Sequence, residues 1–308
     1  MDDHFYRQIK KYITHRAWQH IVDDWLNYLP DLDTAGSAPD IDLDDFYLLQ
    51  SAIKKQSSVD SFKDELDKLR AYTFHEGLFL LHKATHVVGA SEIHAQQGMT
   101  TWSISSAYQG TLFGAKAIMH LLGIAITSQD NNNWIIDCYT ERQKLTSKEK
   151  KLGLKPLPTT LFFKTGLRRI EHRHIWAIFQ RIMRVTKFSG DSIEMICDSL
   201  SSSSFDVLDF AKQRNMLHYD NHVWFFNDMF EYVVKNEFGF RDQFTSEDFR
   251  YQRPDSDFSM VIALSIIHFG ITLLTEIAAK THKLDDELDL VRKIVCPERH
   301  PILSRINF

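Results

Sequence analysis

The sequence predicts an all-α fold, on three observations. Apolar residues recur at helical spacing in nearly every segment of the 308-residue chain. Helix breakers are scarce, with 12 Gly and 7 Pro. Bulky apolar residues are abundant, 22 Phe among them, which favours long helices over a turn-rich β architecture. With 44% hydrophobic and 25% charged residues, the composition is that of an ordinary globular protein, long enough for one large core or two modest ones.

Each element follows from its own pattern. Residues 4–28 place Phe5, Ile9, Tyr12, Ile13, Ala17, Ile21, Trp25 and Leu26 at helical steps, so one amphipathic helix is expected. Two prolines, a glycine and repeated Asp make 29–42 a loop. Helical patterning resumes at 43–55. Ser61, followed by Asp64 and Glu65, resembles a helix start, and a long helix is expected over 60–81 and on toward Gly89. Residues 99–126 are the most regular: Trp102, Ser105, Tyr108, Leu112, Ala115, Met119 and Leu122 share a face. Small residues between them, such as Gly110 and Gly114, permit a close helix neighbour, and Gly123 is a natural stop. QDNNN at 129–133 is a polar break, after which 134–139 begins a new element. Residues 148–160 read as a Lys-rich loop with Pro156 and Pro158. Helical spacing returns at 166–187 and, after a serine run at 199–204, over 205–219, 224–238, 257–283 and 285–294. The stretch 260–275 is strongly apolar, but it falls short of a membrane span of roughly 20 residues and contains His268, so it is expected to be a buried core helix.

Charge is segregated. Between Arg142 and Lys187 there are 13 Lys or Arg against two acids, Glu149 and Glu171, within a chain of net charge −5. A local balance of +11 points to an anionic partner such as nucleic acid, while the plain alternative is a solvated surface. Lys150, Lys151, Arg168, Arg169 and Arg173 are the candidate nucleic-acid contacts. Cys138, Cys197 and Cys296 form no CxxC pair, and their odd number argues for reduced thiols. The first residues are interrupted by charge and hold no apolar signal core, so a cytoplasmic protein with no membrane partner is expected.

One cluster carries chemistry. In KQRNMLHYD, Arg214 and His218 lie one helical turn apart. A guanidinium can hold a phosphate through two hydrogen bonds and steady the charge of a transition state. An imidazole moves protons near neutral pH. The plain alternative is a surface Arg beside a locally paired His. His82 with His86, and His218 with His222 and Asp220, have helical ligand spacing, but no HExxH accompanies them. Neither a metal nor a cofactor is therefore expected. There is no GxSxG, P-loop or GxGxxG, which leaves hydrolase-elbow and nucleotide-binding chemistry without support.

Arg214–Asn215–x–x–His218 resembles the Arg-(polar)-x-x-x-His motif of HEPN domains, and TWSISSAYQGTLFGAKAIMHLLGI at 101–124 resembles the HEPN helix with Ser-x-Tyr, small residues and a terminal Leu-Gly. HEPN nucleases usually space Arg and His more widely than the three intervening residues here. Either the site is compressed, or a HEPN-like fold has lost its nuclease. The resemblance implies a helical-bundle core over 72–235 with a basic insertion at 142–187, N-terminal helices at 1–71 and C-terminal helices at 236–308. It implies a metal-independent endoribonuclease, with His218 moving protons, Arg214 on the phosphate and Asn215 orienting one of them. It further implies a homodimer acting on RNA, in antiviral defence or a toxin–antitoxin pair with its antitoxin or defence partner. The rival is a non-catalytic module that binds nucleic acid or protein and mediates dimerisation.

Overall fold

In the computed structural model the described residues are 2–28, 43–64, 66–129, 131–139, 147–152, 160–188, 256–281, 284–295, 300 and 303–305. More than two thirds of them are helical, but six strands form two sheets, so the chain is not all-α. It divides into two compact units. The first comprises Met1–Gly77 and Met119–Ser189, the second Leu78–Ile118 and Gly190–Phe308.

The first unit opens with α1 (Asp2–Tyr12), β1 (Arg16–Ala17) and α2 (Trp18–Tyr28). The single helix expected over 4–28 is thus broken. Arg16 turns inward to the carboxylate of Asp137, and β1 pairs in parallel with β6 (Thr186–Lys187). After α3 (Leu43–Lys55) comes β2 (Ser61–Asp64), where a helix start was expected. Strand pairing wins there because Phe62 stacks on Phe162, centroids 4.6 Å apart, and meets Trp134 edge-on. The long helices α4 (Asp67–Gln96) and α5 (Thr100–Leu121) follow, and each runs from one unit into the other.

The helix expected to reach residue 126 ends at Leu121. Gly123 takes φ +77°, and a Cβ there would collide with the Tyr139 ring. A hairpin replaces its last turn: β3 (Ile124–Gln129) and β4 (Asn132–Asp137) are antiparallel, with Gln129 opposite Asn132. Two residues join them, and Asn131 takes the left-handed conformation that a tight hairpin requires. The expected loop at 148–160 instead holds α6 (Ser147–Lys151), and β5 (Thr160–Lys164) follows. The four-stranded sheet has the order β2-β5-β4-β3, antiparallel throughout. The last helix of this unit, α7, spans His172–Val185 and starts later than expected.

Alternation along β4 feeds both faces of this sheet. On one face Trp134 and Ile136, with Ala125 and Phe162, pack under Leu49 and Ile53 of α3 and Leu69 of α4. On the other, Tyr12 of α1 stacks on Phe163 at 4.8 Å, and its hydroxyl is hydrogen-bonded to Ser61 Oγ at 3.0 Å. Hence β4 is buried from Asn133 to Asp137.

The second unit, in its described part, is helical: the rest of α4 and α5, then α8 (Ser256–Thr281) and α9 (Asp285–Ile294), then a short 3₁₀ turn at Leu303–Arg305. Glycines bring helices together. Gly110 lies against Val88, Gly114 against Ile266, and Gly270 against Leu81. Within α8, Ser259–Lys280 has the length and composition of a membrane span, with a mean hydropathy of 2.0, and 78% of its most apolar window is buried inside the protein.

Candidate nucleic-acid interface

Arg214, Asn215 and His218 lie outside the described residues, as does the expected helix 205–219 that carries them. The basic candidates are largely within them. Lys150 and Lys151 belong to α6, and Lys151 is exposed. Arg168 and Arg169 are exposed on the connection between β5 and α7, and Arg173 is exposed in the first turn of α7. Arg173 pairs with Glu171 at 2.9 Å, both side chains about half exposed, so the pair contributes little to stability, about 0–1 kcal/mol.

What distinguishes Arg168 and Arg169 from ordinary surface charges is the backbone beneath them. Thr165 donates both its N–H and its hydroxyl to the carbonyl of Asn133, at 2.9 and 3.0 Å. The Asn133 amide in turn donates to the Leu167 carbonyl at 2.9 Å. Leu167 N–H closes a local turn onto Thr165 Oγ1 at 3.1 Å. Gly166 sits at φ +71°, with no room for a Cβ against His4. The two arginines therefore follow directly on a connection fastened to β4, which limits the backbone entropy that this segment can lose when it meets a ligand.

The helix that follows is equally fixed. Its N-terminus is closed by Glu171 N–H donating to His174 Nδ1 at 3.0 Å, and the His174 ring meets Phe5 edge-on at 5.0 Å. Ile175, Ile178, Phe179 and Ile182 are buried. Arg181 is turned onto the end of α1, where Nε donates to the Ile13 carbonyl at 3.0 Å and Nη2 to the Lys10 carbonyl at 3.3 Å. It thus satisfies carbonyls that a helix C-terminus leaves orphaned. Burial, and then the neighbouring Arg184, lower its pKa. Arg184 and Lys187 remain exposed.

The basic surface does not begin at Arg142, because α1 packs against this helix. No acid occurs between His4 and Val22, and α1 brings exposed Arg7 and Lys10 alongside α7. The lack of acids was a visible signal. The pairing of two segments some 170 residues apart was not.

A second polar cluster lies inside the same unit. Arg16 holds Asp137 in an ion pair whose side chains are 5% and 2% exposed. Asp137 also accepts from Tyr139 N–H, and Arg16 donates to the Leu122 carbonyl. Arg70, buried, donates to the Cys138 carbonyl at 2.9 Å. Burial pushes the Cys138 thiol up to about 11, and Thr73 Oγ1 lies 3.8 Å from its sulfur. A thiol so placed stays protonated and unreactive, so the cluster reads as a buried structural network. Among the described residues no group of three metal-ligating side chains occurs.

No protein-family model matches the chain, and no curated protein or solved structure matches it significantly. The HEPN resemblance accordingly rests on its two short motifs alone.

Proposed function

We propose that this protein binds RNA through the basic face of its first unit and cleaves it, without a metal, at Arg214 and His218. The observation that supports binding is the exposed Arg168–Arg169 pair, next to a connection tied to β4 and inside a segment of local charge +11. Cleavage is proposed from the motif. His218 takes the proton of a ribose 2′-hydroxyl, whose oxygen attacks the adjacent phosphorus. The bond to the 5′-oxygen breaks, that oxygen takes a proton from the imidazolium of the second copy's His218, and a 2′,3′-cyclic phosphate remains. Arg214 neutralises the charge gathered on the phosphorus oxygens, and Asn215 orients the phosphate or the imidazole. In this reading two copies of the chain contribute to one cleft, and the setting is defence or a toxin–antitoxin pair.

The test has two arms. Reversing Lys150, Lys151, Arg168 and Arg169 to Glu together should weaken RNA binding and flatten its salt dependence, because each phosphate neutralised on a single strand contributes about 0.7 to the log–log slope. His218→Ala should cost about 10² to 10⁴ in cleavage rate, Arg214→Lys should rescue Arg214→Ala poorly, and a chelator should change nothing. Cleavage that survives in His218→Ala ends the catalytic half. Tight, salt-sensitive binding with no cleavage in any variant leaves the non-catalytic binding module instead.

A further inference from the structure

We propose that α1 is the second half of the RNA path, and that Tyr6, Arg7 and Lys10 seat one unpaired nucleotide, its base on Tyr6 and its flanking phosphates on the two cations. This rests on the reading of RNA as the ligand and adds residues that the charge count left out. The register of α1 against α7 is set at both ends. His4 lies against Gly166, beside Arg168 and Arg169, while the Lys10 and Ile13 carbonyls accept from Arg181. Phe5 and Ile9 are buried, so the opposite side of α1 faces solvent. There Asp3, Tyr6, Arg7 and Lys10, at helical steps of three and four, line an open depression of about 380 Å³. That volume is within the range of small-ligand sites, roughly 300–1,000 Å³.

Each side chain suits one part of a nucleotide. Tyr6 is 38% exposed, and its ring is braced edge-on at 5.3 Å by fully buried Phe5. A braced, half-open aromatic beside cations is a stacking platform for an unpaired base. Arg7 uses Nε on the Asp3 carbonyl at 3.2 Å, which leaves its two terminal amino groups for a phosphate. Among the described residues no partner holds Lys10 Nζ. The neighbouring cations are committed elsewhere: Lys11 donates to Tyr12 Oη at 3.0 Å, and Arg181 caps α1. Asp3, the acid at the rim, suits the helix N-terminus and repels phosphate, so the strand crosses Tyr6 to Lys10 and avoids the first turn.

The same surface argues against other anionic partners. A duplex hides its bases from a stacking ring. A lipid surface needs an apolar face, yet Tyr6 is the one large apolar side chain that the described part of α1 exposes.

The experiment uses the full chain and a fluorescein-labelled single-stranded RNA with 2′-O-methyl groups, which the proposed chemistry cannot cut, followed by anisotropy across a salt series. Arg7→Glu with Lys10→Glu should weaken binding at least about tenfold and reduce the log–log salt slope by about 1.4, two phosphate contacts' worth. Tyr6→Ala should cost about 5- to 150-fold, the range of one base–aromatic stack, and Tyr6→Phe should restore it. On an abasic oligomer, Tyr6→Ala and the unchanged protein should bind equally. If the Arg7/Lys10 variant binds as the unchanged protein does, while Arg168→Glu with Arg169→Glu abolishes binding, α1 is not on the path and the RNA reading stands. An unchanged protein that binds no RNA overturns both. Phosphatidylserine vesicles captured through Arg7 and Lys10, with RNA ignored, overturn the choice of partner. Circular dichroism melts of each variant, expected to match the parent because the altered side chains are exposed, keep a loss of fold from passing as a loss of contact.

Discussion

Asp137 occupies the last position of β4 with 1% of its surface exposed, and both carboxylate oxygens are used, one by Arg16 and one by Tyr139 N–H. A buried pair of this kind adds little net stability over an apolar pair, but removing one member strands the other as an uncompensated charge. Asp137→Ala should therefore destabilise the protein by about 3–5 kcal/mol in urea unfolding, and Arg16→Met in the same chain should recover much of that loss. If Asp137→Ala costs under about 1 kcal/mol, the pair is hydrated rather than buried. The two residues lie 121 apart in sequence. Nothing in THRAW or in IIDCY announces a partner, so this pair was not legible before the fold was known.

Several helices were legible in the sequence, and the short strands were not. The bounds expected from spacing for 43–55 and 285–294 are those of α3 and α9, and α8 departs from its expected ends by one or two residues. Strands of four to six residues were missed, because a short apolar run has no period to distinguish it from a helix turn. Ile124 and Ile126 extended the apparent helix of α5 although Gly123 had already signalled its end. In the second unit the small residues of α5 do what their spacing suggested. A Cβ on Gly114 would lie 2.5 Å from Ile266 Cγ2. Gly114→Ala should cost about 1–3 kcal/mol through overpacking. In the background of Ile266→Ala, where that methyl is gone, the same change should cost less, a non-additivity that a double-mutant cycle in denaturant will show. Equal costs in both backgrounds would mean that the helices part freely. Of the candidate site, Arg168 and Arg169 could be found by counting charge. The acid-free run that holds Arg7 and Lys10 was visible too, but not that it lies beside α7.

Titration acts on the whole molecule, with both units contributing. Burial lowers the pKa of His75 in the first unit and of His268 in the second. A base whose pKa is lower in the folded state binds fewer protons there than in the unfolded chain, so acid favours unfolding. Stability should be fully present above the unfolded histidine value, about 6.5, and fall as pH drops through it toward the lowered folded values. On the alkaline side the sign reverses at Cys138. Its thiol, held up near 11, keeps a proton that the unfolded chain releases near 8.5, so stability declines again as pH rises between the two. Urea midpoints measured from pH 5 to pH 10 should trace a maximum near neutrality. A midpoint that rises steadily into acid would contradict the burial of both histidines.

The parallel pairing of β1 with β6 has a consequence for the growing chain. Arg16 is registered against Thr186, and α1 packs on α7, at His172–Val185, as well as on Phe163 of β5. At about 5–20 residues per second of synthesis, Phe5 waits roughly 8–35 seconds before the chain has grown to His174, whose ring it meets edge-on. For that interval α1 is a basic, amphipathic segment whose apolar side lacks the cover that α7 gives it in the folded protein.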